Sequence, residues 1–532
     1  RHKYSALFEH LLLVKRWCLL SLWRMSQFKM VQQLLNAVKE KCKSTSINAY
    51  CRTMSEEEVV FWDRAETPEF EAWLKAAEAV VGEGNLERVL HSDLGSDLQI
   101  NPIYTEGAVE GMTDQVSGGV GLRSSNLAGN IKGWDIRQRH WITDASSLNS
   151  IILEDLTRGA SSIELAIERP EAIPYDELLD GVLLNMAGIG LSCSKGSLSA
   201  ASQLFNYMSN KMPESSANTF DLGIDPIGEL LNNSLEISEF ESYLANASEL
   251  MGQVSNNFPQ ATTFRVNGLK YAQIGADTIT EIAGILSTFV AYLRAMEKAG
   301  TQTEVALEQC LIVVSTGTDQ FLDIAKLRAL RLLLLNVGKA CGVESFHIKV
   351  QAQTSDYLVS RDDPWVNLLR TTVGCFSAAT GGADIISIPA FDSAFGIPSE
   401  FGLRLARNTH LVLMEESNIH RVIDPAGGSW YVESLTKDIA QKSWERFQGY
   451  ESSGGFKQQV VSGSYAEQAK LSRENYISEV LSDEKILIGV NSFREESATD
   501  LQRHPYPRSD NSDNSKDLNF RVSDIIVNSE EM

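Results

Sequence analysis

From Gly133 onward the chain alternates short runs rich in β-branched and aromatic residues with longer amphipathic stretches. The pattern predicts strands at 134–139, 162–167, 182–187, 263–267, 310–315, 345–351, 384–389 and 411–414. Between several of them lie segments of helical period, among them ADTITEIAGILSTFVAYLRAMEK (276–298) and QFLDIAKLRALRLLLLNVGK (320–339). A strand followed by a long helix, repeated many times, implies parallel strands with crossover helices. About eight such units between residues 133 and 450 favour an α/β fold of the closed (β/α)8 TIM barrel type over an open doubly wound sheet.

Outside this repeat the pattern changes. Residues 53–82 read as two helices, MSEEEVVFWDR and TPEFEAWLKAAEAVVGEG, each opened by Ser or Thr followed by carboxylates that suit a helix N-terminus. Residues 97–133 are rich in Gly, Ser and Asn with little periodicity, which marks an extended arm; 53–132 thus form a helical and extended N-terminal region. Residues 451–494 read as surface helices. The stretch 495–532, with HPYPRSDNSDNSKD, has the composition of a polar flexible tail.

Composition narrows the function classes. Hydrophobic residues at 43% and charged residues at 22% of 532 describe a globular protein with a sizeable core. A net charge of −23 repels phosphate backbones and anionic lipid, which argues against nucleic-acid and membrane partners. Positive charge is concentrated in residues 1–43, where nine Lys and Arg face Glu9 and Glu40, leaving −30 on the remainder. The apolar run 11–23 is interrupted by Lys15 and Arg16 and is too short to span a bilayer. The basic extension 1–52 reads as a transit peptide, a misassigned start or a helical arm, so the expected compartment is the cytoplasm, or the mitochondrial matrix if it is a transit peptide. Seven scattered cysteines, none spaced C-x-x-C, suit a reducing compartment and give no support to a disulfide scaffold or a structural zinc.

Local catalytic signatures are missing. Gly338-Lys339 is followed by Ala, so there is no P-loop, and Gly188 and Gly190 in GIGLSC lack the third glycine of a dinucleotide fingerprint. No H-E-x-x-H or G-x-S-x-G occurs, and no two of the eight histidines have metal-ligand spacing on one element. His347, inside the predicted strand 345–351, is expected to face the barrel lumen, as a polar filler in preference to a catalytic acid.

Five longer blocks are specific: GWDIRQRHW (133–141), TDQFLDIAKLRALRLL (318–333), QAQTSDYLVSRDDPWVNLLRTTV (351–373), FGLRLARNTHLVLMEES (401–417) and VIDPAGGSWYVESLT (422–436). In this order they resemble the barrel of methylmalonyl-CoA mutases, over roughly residues 102–450. The resemblance implies a (β/α)8 barrel with coenzyme A along its axis and adenosylcobalamin capping its mouth, the cofactor being held by a flavodoxin-like domain.

Three departures from that family's pattern fall on its chemistry. The cobalamin domain's D-x-H-x-x-G is absent, since none of the eight histidines has Asp two positions before it, so no cobalamin-binding flavodoxin-like domain is expected. The Tyr-His pair of catalytic subunits is replaced by Leu269-Lys270 in VNGLKYAQIGA; leucine has no donor, and lysine is a flexible point charge rather than an oriented imidazole. No Lys or Arg lies between Met212 and Phe264, where the family places the arginine for the substrate carboxylate. The family's R-T-H-S-Q-T-S run survives as KVQAQTS (349–355), with Gln351 in the histidine's place and Gln353 retained.

The resemblance therefore implies the small, non-catalytic subunit of a heterodimeric mutase, partnered by a catalytic large subunit that holds adenosylcobalamin, with no catalytic, cofactor-binding or metal residues of its own. Lys270, Gln351 and Gln353 remain candidates for a lumen pocket. The alternative is a divergent acyl-CoA mutase barrel that uses these three residues with a separate cobalamin-binding protein.

Overall fold

The computed structural model describes residues 70–82, 85, 92–95, 98–109, 133–168, 170–212, 219–495 and 501–507. The chain divides into two units, residues 1–86 and 87–532. In the first, α1 (Phe70–Val81) is the described element, matching the second of the two helices expected there; the first lies outside the described residues.

In the second unit eight parallel strands close a barrel in chain order: β1 (Asp135–Trp141), β2 (Ser162–Ile167), β3 (Gly188–Cys193), β4 (Phe220–Ile224), β5 (Thr262–Asn267), β6 (Cys310–Thr316), β7 (Lys349–Thr354) and β8 (Ile385–Ser387), with β8 pairing back onto β1. The longer helices are α2 (Ala145–Thr157), α3 (Ser197–Lys211), α4 (Phe240–Asn257), α5 (Thr278–Lys298), α6 (Gln320–Ala340), α7 (Pro364–Thr380), α8 (Glu400–Leu411), α9 (Trp430–Ser452), α10 (Phe456–Val461) and α11 (Ser464–Leu481). This is the (β/α)8 barrel read from the sequence.

Helix starts are encoded by short polar residues at the strand-to-helix turns. Asp144, Asp277, Asp319 and Asp363 accept backbone N–H groups at the starts of α2, α5, α6 and α7, and Ser399 and Ser429 do the same for α8 and α9. Each such cap contributes about 1 kcal/mol by satisfying a donor that has no intrahelical partner.

The two-residue strand period sorts side chains between two compartments. Ile163, Leu165, Ile189, Leu191, Leu222, Phe264, Val266, Ile312, Val314, Val350 and Ile386 face outward into the main core with Leu204, Ile282, Leu286, Phe289, Leu327 and Leu330 of the helices. That layer holds the barrel together, since each such side chain is worth about 1.5–3 kcal/mol when removed from water. α5 is long and apolar enough to cross a membrane, but most of its apolar window is buried in this layer.

Four details of the sequence reading need correction. The run 182–187 is not a strand; β3 is the following GIGLSC, where the absence of side chains at Gly188 and Gly190 leaves room in the lumen. At Gly190 a Cβ would press on the Arg137 guanidinium. β4 was not anticipated, because FDLGI carries Asp221 and a positive-φ Gly223 inside a five-residue strand. The run 411–414 ends α8 and enters a π-helical turn, Val412–Glu416; a four-residue apolar run cannot separate strand from helix by periodicity. β7 begins at Lys349, so His347 lies exposed in the preceding loop and not in the lumen.

Beyond the barrel, Phe456 of α10 and Tyr465 of α11 are fully buried, stacking edge to face on each other and against Tyr271. Of the arm, residues 98–109 are described. A short antiparallel ladder joins Ser92–Asp93 to Gln99–Ile100, Tyr104 packs on Tyr431 of α9 at 5.0 Å, and Ser434 donates to the Ala108 carbonyl.

Candidate functional site

The second compartment is the lumen, lined by the inward-facing positions of the strands. Odd-numbered positions of β1, β5 and β7 and even-numbered positions of β2 and β3 face it. In β1 these are Asp135, Arg137, Arg139 and Trp141; in β2 Ser162, Glu164 and Ala166; in β4 Asp221; in β5 Arg265 and Asn267; in β7 Gln351 and Gln353.

Midway along the axis these side chains reach across to one another. Arg137 Nη1 on β1 lies 2.6 Å from Asp221 Oδ2 on β4 and donates to Gln351 Oε1 on β7 at 3.1 Å. Arg265 Nη1 on β5 lies 2.8 Å from Glu164 Oε2 on β2, and Gln351 Nε2 donates to the same oxygen at 3.1 Å. Arg139 Nε stands 3.5 Å from Glu164 Oε1. Arg137–Asp221, Arg265–Glu164 and Gln351–Glu164 each join strands three apart in a ring of eight, so they are chords through the barrel axis. The five groups at the centre are closed to solvent: Arg137 is 2% exposed, Glu164 0%, Asp221 2%, Arg265 2% and Gln351 0%.

The remainder of that level is apolar. Leu311 and Val313 of β6, Ile385 of β8 and Leu269, just past β5, form a separate buried cluster. Leu269 thus acts as packing in the lumen.

Electrostatics keep the network charged. Burial raises the Glu164 carboxyl, but Arg265, Arg139 and Arg137 outweigh it and bring the pKa down to about 2. Asp221, also pushed up by burial, is held below its ordinary value by Arg137 and Lys349. Burial lowers the Arg137 pKa, but Asp221, Asp135 and Glu164 more than offset it, leaving a net upward shift. Two cations and two anions share the buried centre, the arrangement in which removal of one member leaves another uncompensated.

The three residues singled out from the sequence separate. Gln351 is part of the network. Gln353, one step towards the mouth, is buried beside Ser315 and Ser387 in register, and its Oε1 has no hydrogen-bond partner among the described residues. Asn267 Oδ1 and Ser355 Oγ, near the same end, are likewise buried and unpartnered. Lys270 sits on the short helix Gly268–Gln273 and pairs with Asp225 Oδ2 at 3.1 Å; Asp225 also accepts from Gly228 N and the Tyr292 hydroxyl, both at 3.0 Å. Among the described residues none of the three hydrogen-bonds another.

Arg137, Glu164, Asp221 and Arg265 escaped the sequence reading. Their signal was a lone charge on the minority face of an otherwise apolar strand, as in SIELAI, FDLGI and TTFRVN, but which charge meets which depends on the barrel register. The buried histidines lie elsewhere, in the layer between strands and helices. His140 is 3.1 Å from Asp155, and His410 Nδ1 meets the Trp134 indole N–H at 3.1 Å and Cys375 Sγ at 3.2 Å. Burial lowers their pKa values to about 4 and about 3. Among the described residues no group of three or more His, Cys, Asp and Glu could hold a metal ion.

Against this geometry, a family model described as methylmalonyl-CoA mutase matches residues 177–521. The chain belongs to the methylmalonyl-CoA mutase family. It is 33% identical over 451 residues to the methylmalonyl-CoA mutase small subunit of Streptomyces virginiae, covering 82% of this chain and 72% of that protein. It is 32% identical to the small subunit of Propionibacterium freudenreichii subsp. shermanii, covering 71% of this chain and 59% of the relative. To the methylmalonyl-CoA mutase large subunit of Streptomyces virginiae it is 26% identical, covering 80% of this chain and 62% of the relative. The likeness to small subunits is the greater, and this mutase-family barrel spans well under the full length of these relatives.

Proposed function

We propose that this chain is the non-catalytic partner of a mutase large subunit that interconverts methylmalonyl-CoA and succinyl-CoA, and that it acts by contact with that subunit. The observation that carries this reading is the set of chords through the lumen. A coenzyme A tail along the axis would need the space that Arg137, Asp221, Glu164, Arg265 and Gln351 fill, and displacing any one of them would strand a buried charge. The residues present therefore do not fit coenzyme A on the axis.

They do not fit adenosylcobalamin either. None of the eight histidines has the Asp two positions before it that marks the family's cobalt ligand, and among the described residues the buried His140 and His410 are engaged in the strand–helix layer. In this reading the large subunit holds the cofactor, and no chemical step passes through this chain. An obligate pairing of this kind buries roughly 2,000–5,000 Å². The 97–133 arm is the proposed contribution of this chain to that surface, because a segment with so little periodicity gains order from a partner.

The test is co-purification with a large subunit, followed by a methylmalonyl-CoA turnover assay of each chain alone and of the pair. A one-to-one complex with turnover confined to preparations containing the large subunit is expected; turnover by this chain alone would overturn the reading.

One feature favours the second reading, a divergent acyl-CoA mutase barrel that borrows a separate cobalamin-binding protein. Gln353 Oε1, Asn267 Oδ1 and Ser355 Oγ are buried near the mouth with no partner among the described residues, as polar groups that meet a ligand would be. Turnover with a lone cobalamin-binding protein, abolished by Gln353→Leu, separates it from the first.

A further inference from the structure

β8 is the shortest strand of the barrel, three residues, and it registers with β1 through Ile385 opposite Asp135 and Ile386 opposite Ile136. β1 runs on to Trp141, so residues 137–141 extend past the end of that ladder. Part of this flank is covered by α8, where Gln138 Nε2 donates to the Leu403 carbonyl at 2.9 Å. The mouth end is covered by residues 501–507, which lie inside the stretch whose composition reads as a flexible tail.

That segment is held on both sides of the seam. On the β8 side, the Ile397 N–H donates to the His504 carbonyl at 2.7 Å, Arg503 Nε to Asp392 Oδ2 at 2.7 Å, and the Tyr506 hydroxyl to the Ser393 carbonyl at 2.8 Å. On the β1 side, the Tyr506 ring lies 5.1 Å from that of Trp141, whose other neighbour is the Arg139 guanidinium, also at 5.1 Å. The Arg503–Asp392 contact is the strongest of these, because both groups are charged and Asp392 is fully buried and fixed by Ser399. Gly396 has φ +145°, and a Cβ there would run into the His504 carbonyl. The loop is thus shaped to let the segment's backbone approach, which a loosely trailing tail would not require.

We propose that residues 501–507 are an intramolecular clasp that locks the β8–β1 seam where its ladder gives out and keeps that side of the barrel mouth shut. The C-terminal face is the one from which barrels of this type act. Closed, the clasp covers the end of β1; released, it uncovers Trp141, Arg139 and Asp392 without breaking the ladders on the far side of the barrel. The contacts named here all lie at one edge of the barrel, so the segment opens as a local unit well below the cost of global unfolding. The proposal concerns this chain's own mouth and holds whether or not the barrel is catalytic.

Hydrogen–deuterium exchange on the full chain tests it, comparing the wild type with Arg503→Ala and Tyr506→Ala, and with Gly396→Ala, which acts from the loop side. Exchange at residues 391–399, with the Ile397 amide as direct reporter, is expected to rise by about tenfold or more in each variant, while β3 and β4 keep wild-type rates. Tyr506→Phe, which loses the hydroxyl bond alone, is expected to fall between. Unchanged exchange at 391–399 in Arg503→Ala and Tyr506→Ala would overturn the clasp, and so would an equal rise in β3 and β4, which would make the segment part of the global core. If Gly396→Ala fails to fold, the two clasp-side variants decide the matter.

Discussion

Midway along the barrel axis and at its mouth the same kind of strand positions carry polar side chains, with opposite outcomes. At the midpoint Arg137, Glu164, Asp221, Arg265 and Gln351 each find a partner across the lumen, at 2.6–3.1 Å. One level higher, Gln353, Asn267 and Ser355 bury polar atoms that find no hydrogen-bond partner among the described residues. Burying a polar group is tolerable when a partner replaces water and costly when none does. The midpoint therefore reads chiefly as structure, its charges paired across the lumen although Arg265 Nε finds no hydrogen-bond partner among the described residues, while the polar atoms at the mouth lack even a cross-lumen partner there.

The largest effect that would break this comparison comes from the shared anion. Glu164→Ala leaves the Arg265 guanidinium buried without its carboxylate, and should cost about 3–5 kcal/mol in urea unfolding. A loss below about 1 kcal/mol would show that water or another group already reaches the midpoint.

The next effect is the dependence of stability on pH, where Glu164 at the midpoint and Asp323 on α6 act with opposite signs. Glu164 has a folded pKa of about 2, below its ordinary value, so its contribution is present above about pH 4.5 and is lost as pH falls towards 2. Asp323, in the first turn of α6 where it accepts from Gly317 N, is pushed up by burial to about 7 despite Lys326. Its folded form holds a proton that the unfolded form releases near pH 4, so stability falls as pH rises from about 4 to 7. Asp323→Asn should remove that decline, worth up to about 4 kcal/mol, in unfolding midpoints taken between pH 4 and 8. An unchanged slope would assign the decline to another group.

A smaller effect sharpens the network itself. In a double-mutant cycle of Arg137→Met and Asp221→Leu, the pair should lose less stability than the sum of the singles, with a coupling of about 1–2 kcal/mol. Additive losses would mean that the chord contributes no specific interaction. Smallest of all is the effect at the mouth. Gln353→Met removes an amide whose oxygen has no hydrogen-bond partner among the described residues, so it should stay within about 1 kcal/mol of the wild type by thermal unfolding. A larger loss at Gln353 would reveal a partner at the mouth.

Much of the barrel was legible in the sequence because its outward faces are continuous apolar runs between capped helices. Seven of the predicted strand segments lie at or directly beside true strands. The count of eight was right partly by accident, since the missed β4 was offset by the apolar run 411–414, where helix and strand look alike. The lumen was much less legible. Lys270, Gln351 and Gln353 stood out through resemblance to a catalytic motif, whereas Arg137, Glu164, Asp221 and Arg265 resembled nothing. A charge inside a strand declares that it is buried or bulged; only closure of the ring states that Arg137 meets Asp221 three strands away. Leu269 showed the same limit, as the loss of a donor was readable and its packing against Leu311, Val313 and Ile385 was not.

The central claim is that the axis is filled by the chain's own side chains. Isothermal titration of coenzyme A into the purified chain and into its complex with a large subunit tests it most directly. The account predicts no binding to the chain alone and one coenzyme A per pair of chains. Binding to the isolated chain, or two per pair, would contradict it.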